Sequence, residues 1–276
     1  MAKRRVIQVL SAFLYNPSIQ NFFSGNIHQG KSKSVCVPGL NCYSCPGAIS
    51  GCPLGTLQNS IANPLLKFPF YIVGLLLLFG LLLGRIICGF LCPFGLIQEL
   101  LYKIPVKKIK KSKITYYLSY LKYFILVFFV ILIPLYFVLV NGKTIPAFCK
   151  YICPAGTFEA GLPLVLANNE LRAVTGNLFL LKVSILVITF ILVTTIYRAF
   201  CRFICPLGAI YSLFSKIAIF GVTVDMGKCT HCNKCINTCK MDVKKVGDHE
   251  CIQCGECKKV CDSNAICFSM KTGGKK

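Results

Sequence analysis

The residues best suited to chemistry in this chain are its cysteines, 19 in 276 residues. Near the C-terminus, Cys229, Cys232, Cys235 and Cys239 are spaced C-x2-C-x2-C-x3-C, and Cys251, Cys254, Cys257 and Cys261 repeat the spacing. Three cysteines at short steps wrap the backbone round one cubane iron–sulfur cluster, and the fourth leaves on a turn facing a second cluster. Two [4Fe-4S] sites with crossed ligation follow: Cys229, Cys232 and Cys235 with Cys261, and Cys251, Cys254 and Cys257 with Cys239. Zinc favours C-x2-C pairs separated by a longer gap, a pattern that two identical quartets fit poorly. His231 and His249 lie beside these cysteines and are expected to face solvent. Cys267 is left over and is read as a small buried apolar residue.

Three further pairs share the form Cys-x3-Cys-Pro-x-Gly: Cys88/Cys92, Cys149/Cys153 and Cys201/Cys205. Cysteines at i and i+4 share one face of a helix. The proline that follows suits the first turn of a new helix, whose free N–H groups face nearby anionic sulfur. Arg85 and Arg198 each stand three residues before the first cysteine of their pair. Both can compensate cluster charge, and are read as cofactor-binding. Each pair supplies two thiolates of the four that a cluster needs, so Cys88, Cys92, Cys201 and Cys205 are predicted to hold one cluster jointly. Six more cysteines remain: Cys36, Cys42, Cys45 and Cys52 with Cys149 and Cys153. One cluster plus a disulfide is the simplest count for them, with Cys42 and Cys45 the most ligand-like pair. His28, alone in a loop, is not expected to be a ligand.

The elements that must position these sulfurs are apolar. Hydrophobic residues make up 55% of the chain and charged residues 14%, a balance that argues against a soluble domain, disorder or a secreted disulfide scaffold. Runs near Phe68–Ile87, Tyr117–Val140 and Leu178–Tyr197 approach or exceed the roughly 20 residues of a membrane span. A weaker run, Val6–Phe23, is broken by Asn16-Pro17 and reads as an uncleaved anchor. The formal charge is +22. No aromatic-interleaved basic groove is present, so nucleic acid is not expected. Lys3, Arg4 and Arg5, the lysines of 103–113, and Arg198, Arg202 and the C-terminal lysines mark cytoplasmic flanks, whereas 142–176 carries only Lys143, Lys150 and Arg172. The expectation is a mainly α membrane protein with about four transmembrane helices and interfacial helices. It divides into an anchor with an outward cysteine-rich segment (1–67), a transmembrane region (68–224) and a small cytoplasmic α+β domain with two [4Fe-4S] clusters (225–276). In this scheme the six remaining cysteines face outward.

Residues 225–270 resemble two-[4Fe-4S] ferredoxin domains, although Lys240 and Asp262 replace the usual proline after each fourth cysteine. With its Cys-x3-Cys-Pro pairs, the whole chain resembles the membrane-bound polyferredoxin family, which includes the membrane ferredoxin subunit of periplasmic nitrate reductase and the C-terminal half of the nitrous-oxide reductase regulator. The resemblance implies electron transfer in a bacterial cytoplasmic membrane. The donor would be cytoplasmic, of ferredoxin or flavodoxin type, and the acceptor a quinone or a membrane or extracytoplasmic redox partner. The alternative is a membrane redox sensor or maturation factor. No hydrolytic constellation is present, so any oxidoreductase role would be shared with partners. No acidic residue lies in an expected span, which argues against ion pumping by this chain alone. A membrane about 30 Å thick is too wide for one efficient tunnelling step between centres on opposite faces.

Overall fold

The computed structural model describes residues 2–61, 70–109, 111–142 and 145–271. Phe68, Lys110, Lys143 and the last two lysines lie outside the described residues. The chain is mainly helical, with one two-stranded sheet.

Among the described residues, two helices are long and apolar enough to cross a membrane, Lys113–Asn141 and Asn177–Thr195. Only 17% of each apolar window is buried, and Ile114, Phe124, Leu139, Leu180 and Ile191 are exposed. A core helix of a soluble protein would cover such side chains, so these helices require an apolar surrounding. The first helix opens on a reciprocal cap between Ser112 and Thr115. It widens to a π-helical stretch over Leu126–Leu132, just before Pro134, which has no N–H to donate.

The other two expected spans are shorter. The run Val6–Phe23 forms the helix Ala2–Tyr15, whose 14 residues rise about 21 Å, against about 30 Å of hydrocarbon. Pro17 lacks a donor and disfavours helix at the residue before it, so the helix ends there. The run from Phe68 is described as the helix Phe70–Leu82 and breaks at Gly84, which has a left-handed φ of 51°. A short helix, Ile86–Phe90, and the helix Pro93–Leu101 follow. The order recurs downstream: Asn177–Thr195, a left-handed break at Arg198 (φ 51°), Ala199–Phe203, then Pro206–Phe214. A non-glycine residue in this region costs roughly 1–2 kcal/mol. Arg198 is held there by Glu99, which it meets at 2.7 Å through Nη2 and 2.9 Å through Nε, and by a bond from Nη1 to the Cys88 carbonyl.

The small sheet pairs Phe220–Val224 antiparallel with Ile266–Met270, with Val222 opposite Phe268. Its first strand therefore begins upstream of residue 225. Between the strands, the two cysteine quartets share a backbone pattern. His231 and Gln253 are left-handed at matching positions, and so are Asn233 and Gly255, each capping a short helix. The difference between Asn233 and Gly255 is thus a choice between two residues that tolerate this conformation.

Charge docks the tail onto the helices. Glu250 is fully buried; it accepts from Arg85 Nη1 at 2.9 Å and pairs with Lys122 of the long apolar helix Lys113–Asn141. Asp242 pairs with Arg202, and Arg4 reaches Glu99 at 2.7 Å. Arg4, Arg198 and Arg202, expected as orientation markers, are buried in ion pairs. His249 is only partly exposed, with Nδ1 2.8 Å from Asp248. Cys267 is exposed on the second strand rather than buried, and its thiol lies beside the Thr223 hydroxyl.

Two outcomes follow. Glu250→Ala strands two buried cations and is expected to destabilise the protein by about 3–5 kcal/mol, read as a lower Tm in detergent and faster proteolysis of the tail. Burial raises the Glu99 carboxyl pKa, but Arg198 and Arg4 outweigh it and hold the group below the usual range. Its stabilisation is therefore complete above the ordinary carboxylate value and lost as pH falls through the depressed one. The Tm of the wild type is expected to fall on acidification from about pH 6 to below about pH 4, and Glu99→Gln to be less stable at the upper pH with a flatter profile.

Candidate metal centres

Cys88, Cys92, Cys201 and Cys205 line one small cavity together with Pro38, Gly39, Leu40 and Tyr211. Cys92 and Cys205 each sit in extended backbone immediately before the proline that starts a helix. The Gly208 N–H donates to Cys205 Sγ at 3.4 Å. Burial pushes the Cys92, Cys201 and Cys205 thiols up, and the neighbouring cysteines add to the shift in Cys92 and Cys205. Arg85 and Arg198 stand next to this quartet, fully buried, but direct their hydrogen bonds to Glu250, Glu99 and backbone carbonyls rather than to sulfur.

A second cavity, of about 810 Å³, is lined by Cys42, Cys52, Cys149 and Cys153. Burial pushes the Cys42, Cys52 and Cys149 thiols up to about 12. The charge of each would oppose that of its neighbours across the cavity, Cys42 with Cys149, Cys52 with Cys42, and Cys153 with all three. The Cys42 N–H donates to Glu159 Oε2 at 2.8 Å. Cys36 and Cys45 are not on this cavity. Cys36 Sγ lies 3.3 Å from the Thr56 hydroxyl, and Cys45 lines a separate apolar cavity. Of the pair Cys42/Cys45, only Cys42 lines the large cavity, while Cys45 stays near enough to oppose its charge; every cysteine is a free thiol.

In the tail, Cys239 interacts electrostatically with Cys251 and Cys254, and Cys257 with Cys251, Cys254 and Cys239 and, last, with Cys235 of the other quartet. Cys239, Cys251, Cys254 and Cys257 are the four residues of one expected crossed site. Of the other site, Cys232 is exposed, and Cys229, Cys235 and Cys261 are partly so. The first group packs inward, where Cys239, Cys251 and Cys254 border a cluster of Tyr197, Met241, Val243 and Ile252.

Among the described residues, no three His, Cys, Asp or Glu side chains converge on one metal ion. A cubane seats each cysteine on its own iron, so its sulfurs stand farther apart than around a single ion. The two buried quartets match that demand in two ways. Each is all-cysteine, and sulfur accepts backbone N–H in both. Thiols so deeply buried stay neutral unless a cationic core draws off their protons.

Some of this geometry had an unread signal. Cys52-Pro53-Leu54-Gly55 is a fourth copy of the Cys-Pro-x-Gly step, starting the helix Pro53–Ile61. Gln58 and Gln98, both fully buried and bonded to cysteine sulfur, carried no signal in isolation.

The family model described as "4Fe-4S binding domain" matches residues 65–112, 121–163 and 178–223, each stretch containing one Cys-x3-Cys-Pro pair. An uncharacterised protein of Methanocaldococcus jannaschii is 32% identical over 77% of this chain and 82% of its own length. The methylamine utilization ferredoxin-type protein MauN of Methylobacillus flagellatus is 26% identical over 87% of this chain and 75% of its own. The ferredoxin-type protein NapH of Escherichia coli is 23% identical over 79% and 74%. No solved structure matches the chain. The chain belongs to the 4Fe-4S binding family of ferredoxin-type electron-transport proteins.

Proposed function

We propose that this chain is a multi-pass membrane protein that carries electrons between a cytoplasmic donor and an acceptor in or beyond the membrane. In this reading Cys229, Cys232, Cys235 and Cys261 hold one [4Fe-4S] cluster, Cys239, Cys251, Cys254 and Cys257 a second, and Cys88, Cys92, Cys201 and Cys205 a third. A cluster held by each quartet supplies one-electron transfer. The tail and the 103–113 lysines lie on the cytoplasmic side, in keeping with the excess of positive charge there.

One observation carries the reading: the inner tail quartet abuts the membrane quartet through backbone. Gly89, next to Cys88, packs so closely on the tail that an added Cβ would collide with the Ile252 carbonyl oxygen and lie 4.0 Å from Cys254 N. Gln8 donates to the Gly89 carbonyl at 3.0 Å, and Arg85 to the His249 carbonyl at 2.9 Å, so both sides of this contact are fixed. Tyr197 and Ile252 fill the space beside Cys239, Cys251 and Cys254 and keep water from the seam. The outer tail quartet faces solvent beside exposed Lys228, Lys258 and Lys259. This basic rim suits an acidic one-electron carrier.

Anaerobically purified protein in liposomes, reduced from the tail side, is expected to reduce an enclosed acceptor. A protein that takes up electrons and delivers none would be a sensor instead. Gly89→Ala is expected to weaken tail docking by about tenfold and to slow delivery while iron content stays unchanged. Raising salt is expected to slow reduction by an acidic donor but leave reduction by a small neutral dye unaffected.

A further inference from the structure

The cavity around Cys42, Cys52, Cys149 and Cys153 repeats the quartet of Cys88, Cys92, Cys201 and Cys205 feature by feature. In each, two of the cysteines directly precede a helix-starting proline: Cys92 and Cys205 in one, Cys52 and Cys153 in the other. Six residues after Cys92 stands Gln98, whose Nε2 donates to Cys201 Sγ at 3.0 Å; six residues after Cys52 stands Gln58, whose Nε2 donates to Cys149 Sγ at 3.3 Å. Each glutamine thus reaches the first cysteine of the facing Cys-x3-Cys pair. Cys153 Sγ accepts from the Gly156 N–H at 3.4 Å, as Cys205 does from Gly208. Two of the four cysteines, Cys42 and Cys52, lie outside the stretches matched by the family model.

We propose that Cys42, Cys52, Cys149 and Cys153 hold a further [4Fe-4S] cluster, and that Cys36 and Cys45 take no part in it. This rests on the electron-carrier reading above and extends its line of centres. On binding a preformed [4Fe-4S]2+ core, four Fe–Sγ bonds form and four thiol protons leave, so the site carries a net charge of −2. Leu40 lines both cavities. The next residue, Asn41, lines the second cavity together with Cys42 and Cys52. The chain from Leu40 to Cys42 spans at most about 10 Å, so the two membrane sites are neighbours and the gap of about 30 Å between opposite faces does not separate them.

Iron and acid-labile sulfide are measured on the anaerobically purified full-length protein. About sixteen irons per chain are expected, falling by about four in Cys42→Ala, Cys52→Ala, Cys149→Ala or Cys153→Ala and unchanged in Cys36→Ala and Cys45→Ala. Gln58→Met leaves every thiol in place and guards against misfolding of the cysteine variants. It is expected to lower the potential of one EPR-visible cluster by about 59 mV, a tenfold change in the ratio of its reduced to oxidised forms. Gln98→Met is expected to shift a different cluster. About twelve irons, with none lost in Cys52→Ala or Cys153→Ala, would overturn this site and leave the third cluster standing. About eight irons would overturn both membrane sites. A loss in Cys36→Ala or Cys45→Ala, or one cluster shifting in both glutamine variants, would overturn the assignment of ligands.

Discussion

A cysteine that precedes a helix-starting proline has little freedom. Its backbone is extended, the proline fixes the first turn, and the sulfur faces N–H groups that the helix cannot satisfy internally. This constraint organises the membrane part of the chain. Four helices begin this way, at Pro53, Pro93, Pro154 and Pro206. Each delivers one sulfur to a fixed point. A site of four sulfurs then requires two such helices to face each other, each accompanied by one further cysteine. The repeat of helix, left-handed break, short helix and proline-started helix brings two such halves together around Cys88, Cys92, Cys201 and Cys205. The strain at Arg198 belongs to the same arrangement: its guanidinium is pulled back over Glu99 and the Cys88 carbonyl, and Gly95 leaves just enough room, since a Cβ there would stand 3.2 Å from Arg198 Nη2.

Sulfur sites of this kind collect negative charge where water is scarce, and the chain answers with buried cations already matched to carboxylates. Arg85, Lys122 and Arg198 are fully buried, yet each meets Glu250 or Glu99. Buried ion pairs are weak evidence for stability, because desolvation offsets most of the Coulomb gain. Their consequence here is specificity. If the tail shifted along the helices, Glu250 would leave Arg85 and Lys122 unpaired, and Asp242 would leave Arg202. Only one docking register avoids several buried charges, and it is the one that seats Ile252 on Gly89.

Much of the chemistry was legible in cysteine spacing alone, because ligand spacing is a local property. The association of 88/92 with 201/205 followed from two copies of one motif, and the structure gathers those four residues round one cavity. The crossed spacing likewise predicts the grouping of Cys239 with Cys251, Cys254 and Cys257. The six remaining cysteines were not separable, since nothing local distinguishes Cys45-Pro46-Gly47 from Cys52-Pro53-Leu54-Gly55 except the one extra residue, Leu54, before glycine. Hydropathy counts apolar residues without weighing breaks. Asn16-Pro17 and Gly84 end helices within apolar runs. Ion-pair partners are as invisible locally: Arg4 and Arg202 read as flank markers, and their pairing with Glu99 and Asp242 is set by tertiary packing.

The short N-terminal helix and the loop after it acquire a purpose from this shortfall. A helix about 21 Å long cannot carry the chain across, but Ala2–Tyr15 packs along Pro93–Leu101 and hands over to a segment that folds back among the helices. Asn16 Nδ2 donates to Asn41 Oδ1 at 2.9 Å, and Tyr211 OH to the Pro38 carbonyl at 2.9 Å, which fixes residues 38–41 between the two cavities. Gly39 permits the approach, since a Cβ there would lie 3.1 Å from the Leu91 carbonyl oxygen. A strand of backbone placed there borders both cavities at once. The same loop that fails to extend the span therefore shortens the distance between the two buried quartets, and full-length membrane crossing by the N-terminal helix is not needed to connect them.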